Sequence, residues 1–363
     1  MRRMTTSAQA MLPLLPLFPT LHFSLHPAGR AAGACPAAGP TAGTDGGLRI
    51  AGGLWIAGDP GRLDAGTPHS ADCAVDYYEL GVVEILNRPA GRTAPYAWTI
   101  NPYRGCELAC AHCHARYTHG VLGLTRWRDF ETRIFVKRGA AAALGRRLRT
   151  SALAGRPIAI GTAADPYQPA KERFGVTRSL LEAFARPGVG DGLTLTLITR
   201  SPLVLRDLDL LVELDRRHAI TVEVPVTTLD GDLARCLEPR APAPADRLAA
   251  VAALAREGIA TRVACDPVMP GINDGERALR PLLAAAQDAG AFDVTAVPLS
   301  LGAATRARFM PWLKQEFPRL APQYRRLYGR RANLRRADLN RLFAPFRRLR
   351  LEHGFPRPRP GRG

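Results

Sequence analysis

The chain has 363 residues, 46% of them apolar, and carries 50 Lys and Arg against 32 Asp and Glu, a formal charge of +18. That length holds one large domain of roughly 200–250 residues with extensions, the arrangement expected here, or two ordinary domains, and no uninterrupted apolar run approaches the roughly 20 residues that span a bilayer, which excludes a membrane helix. From Arg306 to Gly363 there are 17 basic and 3 acidic side chains, a segment that either attracts polyanions such as nucleic acid or presents solvated arginines on helix surfaces.

In chain order, Arg2 and Arg3 precede a moderately apolar stretch, Ala8 to Leu25, with signal-peptide character, but Pro13, Pro16 and Pro19 break it as a helix. Ala31 to Thr67 is dominated by Ala, Gly, Pro and Thr and offers too little apolar surface to offset chain entropy, so residues 1–74 are expected to be a mostly disordered extension or an upstream start-site artefact. From Val75 short apolar runs alternate with amphipathic stretches. Strands are expected at Ala97–Asn101, Ile158–Gly161, Leu193–Thr199, Ile220–Thr227, Thr261–Asp266 and Val294–Leu299. Helical patterns fall at Ala140–Ser151, Arg178–Ala185, Leu203–Arg217, Ala245–Glu257 and Gly275–Ala289. Six buried strands alternating with helices predict an α/β fold, a partial (βα)6 TIM-type barrel over residues 75–300, with its chemistry at the C-terminal ends of the strands. Residues 301–355 are expected to form a basic helical extension whose Leu339, Phe343, Phe346 and Leu349 pack on the barrel, and residues 356–363 a frayed tail.

Seven cysteines are too few and too clustered for a disulfide framework. Cys106-x3-Cys110-x2-Cys113 follows the first expected strand and reads as metal binding in a reducing compartment, so a cytoplasmic location is expected. Three closely spaced thiolates can hold three irons of a [4Fe-4S] cluster and leave the fourth open. The alternative is a zinc ion completed by His112, His114 or His119.

The segments NPYRGC (Asn101–Cys106), HARYTH (His114–His119), DFETRIFVK (Asp129–Lys137), GTAADPYQP (Gly161–Pro169), VLRDLDLL (Val204–Leu211), VTTLD (Val226–Asp230), LEPRAP (Leu237–Pro242) and DPVMPGIND (Asp266–Asp274) occur in this order. Together, from about Val82 to Tyr328, they resemble the radical S-adenosylmethionine (SAM) superfamily and, within it, the branch similar to spore photoproduct lyase. The resemblance implies a [4Fe-4S] cluster on Cys106, Cys110 and Cys113 whose open iron chelates SAM. The reduced cluster then splits SAM to a 5′-deoxyadenosyl radical, with electrons from an external donor such as flavodoxin or ferredoxin. His112, just before the third ligand, is expected to approach SAM. Gly161 and Thr162 end the second strand where the SAM amino group lies, with Asp165 as its acceptor or as a turn cap. Thr199 and Thr227 are expected to turn their hydroxyls toward ribose or substrate, unless they are there for strand propensity. Arg247 either holds the SAM carboxylate or forms a salt bridge at its helix start with Glu238. Gly271 either lets the backbone approach adenine or makes a tight turn.

This sequence departs from the branch in carrying His112 and His114 around the third cysteine, where Tyr or Phe is usual, and Lys171 where an acid is expected after PYQP. Cys265 is the candidate hydrogen donor, or else a small core residue. The functions compatible with these residues are a radical SAM enzyme acting on DNA, one acting on a protein, tRNA or small molecule, and a non-catalytic zinc or iron–sulfur nucleic-acid-binding module.

Overall fold

A computed structural model describes residues 48–50, 54–56, 62–65, 75–89, 94–150, 153, 155–186 and 192–355, all within the unit Gly47–Gly363. The strands are β1 Leu48–Ile50, β2 Leu54–Ile56, β3 Arg62–Ala65, β4 Asp76–Val82, β5 Leu86–Asn87, β6 Trp98–Ile100, β7 Tyr103–Arg104, β8 Arg133–Arg138, β9 Ile158–Ile160, β10 Thr194–Ile198, β11 Ala219–Pro225, β12 Ala260–Val268 and β13 Asp293–Pro298. The helices are α1 Asp129–Thr132, α2 Ala140–Leu148, α3 Ala170–Phe174, α4 Val176–Ala185, α5 Leu208–Asp215, α6 Gly231–Leu237, α7 Pro244–Arg256, α8 Glu276–Asp288, α9 Ala303–Glu316, α10 Ala321–Tyr328, α11 Arg336–Leu342 and α12 Ala344–Glu352.

One sheet runs β13-β12-β11-β10-β9-β6-β5, and β6 with β9 to β13 are six parallel strands in chain order. These are the strands the apolar runs predict. Ile100, Ile160, Leu197, Val222 and Thr261 form one row across five of them, and all five side chains are buried. Burial on both faces is what selects β-branched and aliphatic residues here, with α4 laying Leu180, Leu181 and Phe184 into the core. The outer strands do not meet, because β13 pairs with β12 and β5 with β6, so the barrel is partial. Its C-terminal ends deliver Asn101, Gly161, Thr199 and Val226 to one rim.

A second sheet, β1-β2-β4-β8-β7 with β3 on β4, was not expected. β4 pairs parallel with β8, Tyr77 opposite Ile134, and β8 antiparallel with β7, Arg104 opposite Phe135. This sheet therefore grips the chain two residues before Cys106. The expected helix Leu203–Arg217 divides into a 3-10 helix, Pro202–Asp207, and α5, with Ser201 Oγ capping the start by accepting from Leu203 N. Of the expected N-terminal extension, residues 1–74, only β1–β3 lie among the described residues; the expected tail, 356–363, lies outside them. Helices α9–α12 follow the barrel, with Leu342, Phe346 and Leu349 buried. No described helix is long and apolar enough to cross a membrane.

Candidate active site

The loop after β6 carries Cys106 and Cys110, both buried, and Cys113, half-buried. It is fixed from several sides. Cys106 N donates to Phe130 O at 2.9 Å and Ala111 N to Leu237 O at 2.8 Å. Gln168, fully buried, accepts from Glu107 N at 2.9 Å and donates to Gly105 O at 3.1 Å. Arg116 donates to Cys110 O at 2.6 Å while paired with Glu131 at 2.5 Å, and Thr305 of α9 donates to Cys113 O at 3.2 Å. Burial pushes all three thiols up, and the three act on one another electrostatically. A bound cationic metal group offsets this by favouring thiolates.

The surroundings of the three histidines bear on the two metal readings. His119 Nε2 donates to Arg133 O at 2.9 Å, and its ring packs edge-on against Phe130 and Phe135. His114 is exposed on the 3-10 helix His114–Leu122. Donor atoms of Cys110, His112 and Glu238 lie within 4.8 Å of one another, but His112 and Glu238 are already hydrogen-bonded, and Arg247 and Arg200 neutralise the carboxylate. Two arginines oppose a cation between these groups. His112 and His119 are thus engaged elsewhere, and three closely placed thiols fit a cluster with one open iron.

Glu238, which follows α6 and is 2% exposed, joins the cysteine loop to the rim. Its Oε1 accepts from His112 Nε2 at 3.0 Å and Arg200 Nε at 3.3 Å, and lies 2.7 Å from Thr227 Oγ1; its Oε2 pairs with Arg247 Nη2 at 2.5 Å. Burial alone would raise this carboxyl, but Arg247, the His112 hydrogen bond and Arg200 hold it well below the usual carboxylate range. Arg200 continues to Asp266, with Nη2 at 3.1 Å from its carbonyl and 3.4 Å from Oδ2. Its side chain keeps 17% exposure and that of Asp266 32%, against 1% for Glu238 and Arg247.

Several residues singled out by the sequence are brought to this region but are turned to other tasks. His112 binds Glu238 rather than pointing into open space. Arg247 gives Nε to Pro242 O at 2.8 Å and Nη1 to Pro225 O at 3.1 Å, so with Glu238 its fork is fully engaged, and the salt-bridge alternative describes it. Asp165 accepts from Tyr167 N, Thr199 Oγ1 and Arg200 N at 2.8, 2.6 and 2.7 Å, a cap that ties β9 to β10. Thr199 is spent on Asp165, and Thr227 on Glu238 and Asp266 O. Thr162, half-buried at the end of β9, accepts from Asn101 at 3.3 Å and stays at the rim.

Gly161 has φ +97°, and a Cβ there would sit 2.3 Å from Ile198 O, so glycine is demanded by the approach of β10. Gly271 has φ +77° and gives its N–H to Asp274 Oδ1 at 2.9 Å, and a Cβ on it would meet Leu320 at 3.2 Å, just before α10, which is the turn alternative. Cys265 is wholly buried in the apolar core, consistent with its core reading, and Cys236 is exposed. The sequence missed Arg200 as the open cation; its place directly after β10 was the available signal.

Residues 100–280, which run from the end of β6 through the cysteine loop and the Glu238 network into α8, match the family model described as the Radical SAM superfamily. The chain belongs to the radical SAM superfamily. An uncharacterized protein of Mycobacterium tuberculosis is 35% identical over 257 residues, covering 70% of this chain and 74% of that protein. An uncharacterized protein of Methanocaldococcus jannaschii is 27% identical over 179 residues, 49% of this chain and 63% of that one. A double mutant of spore photoproduct lyase with bound AdoMet and dinucleoside spore photoproduct has the same fold, with a TM-score of 0.52 and 16% identity over 76% of this chain and 79% of that one. As a radical SAM protein, the chain is an enzyme that uses SAM with an iron–sulfur cluster.

Proposed function

We propose that this enzyme holds a [4Fe-4S] cluster on Cys106, Cys110 and Cys113 and acts on nucleic acid. When bound, the reduced cluster with SAM supplies an electron that splits the sulfonium and yields the 5′-deoxyadenosyl radical. The observation that carries the reading is the Glu238 network, which ties the chain between Cys110 and Cys113 to the ends of β10, β11 and β12 and leaves Arg200 and Asp266 at the rim. Arg200 is the residue for the SAM carboxylate, since its guanidinium is only partly committed whereas that of Arg247 is fully so. Glu238 holds Arg200 in place and keeps it charged. Thr162 and Asp266 face the polar methionine end of SAM from the same rim.

Nucleic acid is favoured as the substrate by the basic C-terminal region, where Arg325, Arg326, Arg330, Arg331, Arg335 and Arg336, on α10, the following loop and the start of α11, are all exposed. Spore photoproduct lyase, which shares the fold, is described with a bound dinucleoside photoproduct. The test is incubation of the reconstituted enzyme with ultraviolet-irradiated oligonucleotides, following both binding at rising salt and product formation. Salt-sensitive binding with loss of a photoproduct supports the reading. SAM cleavage with neither binding nor any change in DNA moves the substrate to a protein, tRNA or small molecule.

A further inference from the structure

Beside the cysteine loop, two basic side chains share one face of the second sheet with no acid to neutralise them among the described residues. Arg104 on β7 stands opposite Phe135 on β8, and because side chains alternate along a strand, Lys137 lies diagonally across from Arg104 on that face. Lys137 is 7% exposed. Burial, with Arg104 second, pulls its ammonium down to about 7. Arg104 gives Nη1 to a neutral acceptor, Thr118 O, at 2.9 Å. In that same residue Oγ1 is buried and without a hydrogen-bond partner. His119 brings no negative charge, since its Nε2 donates to Arg133 O. Buried cations are ordinarily paired, and a buried hydroxyl ordinarily bonded. Here buried Lys137 has no ion-pair partner and Thr118 Oγ1 no hydrogen bond among the described residues, and Arg104 adjoins both residues, one across the sheet and one through its carbonyl.

We propose that Arg104, Lys137 and Thr118 form a binding site for a small tetrahedral oxyanion, a phosphoryl group. It is built from β7, β8 and the 3-10 helix His114–Leu122, none of which contributes to the Glu238 network. Arg104 carries a fixed positive charge, Lys137 takes up its proton as an anion settles beside it, the arginine fork fits the phosphoryl oxygens, and the threonine hydroxyl supplies a further donor. The scant exposure of Lys137 suits a free phosphate or a chain-terminal one rather than the flank of a duplex.

The test is thermal unfolding and 31P line width of the anaerobically purified full chain in inorganic phosphate, against chloride at equal ionic strength. For the wild type, the melting temperature should rise saturably with phosphate and the phosphate signal should broaden. Lys137→Met, close in length and shape, should lose both effects. Thr118→Val, which leaves the charges intact, should bind phosphate about tenfold more weakly. A 5′-phosphorylated oligonucleotide acting at lower concentration than inorganic phosphate, and than its unphosphorylated twin, identifies a nucleic-acid end; equal potency identifies free phosphate. No rise in the wild type, or an equal rise in Lys137→Met, overturns the site. Neither cluster nor SAM enters these measurements, so their failure leaves the proposed function standing.

Discussion

His112 Nε2 and Glu238 Oε1, 126 residues apart in the chain, lie 3.0 Å from each other in the interior. This contact fastens the turn between Cys110 and Cys113 to the carboxylate that also holds Arg247, Arg200 and Thr227. A loop that must hold its thiols in one geometry needs such support, because the surrounding shell orients metal ligands.

Glu238→Gln should be strongly destabilising. Its carboxylate is the partner of a guanidinium that is 1% exposed, and removing one member of a buried pair costs about 3–5 kcal/mol. Urea denaturation measures this, and adding Arg247→Met should recover much of the loss.

Arg200→Met should weaken SAM binding about tenfold or more while leaving stability less affected than Glu238→Gln does, since Arg200 sits at the rim. Arg247→Lys should behave oppositely, unsettling the fold through Glu238, Pro225 and Pro242. Calorimetric titration with SAM, paired with denaturation of each variant, separates the two arginines.

Acid should weaken the fold through His119. Burial holds its imidazole at about 4, below the ordinary 6.5, so between these values the unfolded chain binds a proton that the folded chain refuses. Stability from this group is complete above about pH 6.5 and falls as pH drops toward 4, by about 3 kcal/mol over that window. His119→Phe should flatten the slope there, though it loses the bond to Arg133 O.

Gly161→Ala should cost at least about 2 kcal/mol, because its φ of +97° and the Ile198 carbonyl 2.3 Å from the new Cβ add strain to collision. A shifted urea midpoint with unchanged slope would report it.

The barrel was legible because runs such as Ile158–Ile160 and Thr194–Ile198 are apolar on both faces and alternate with amphipathic helices. The second sheet was not, since β4 and β8 are isolated short strands that pair across more than fifty residues of sequence. The three cysteines stood out because they fall within eight residues. The roles of Arg200 and Arg247 were not, because both compete for Glu238, and only the fold decides that Arg247 is enclosed while Arg200 reaches the rim.

The measurement that bears most directly on the central claim is anaerobic reconstitution with iron and sulfide, followed by SAM and dithionite, comparing wild type with Cys110→Ala. The wild type should be brown, with broad visible absorbance, and should form 5′-deoxyadenosine; Cys110→Ala should form none. Equal 5′-deoxyadenosine from both proteins, or a colourless wild type that retains zinc, would contradict a [4Fe-4S] cluster on Cys106, Cys110 and Cys113.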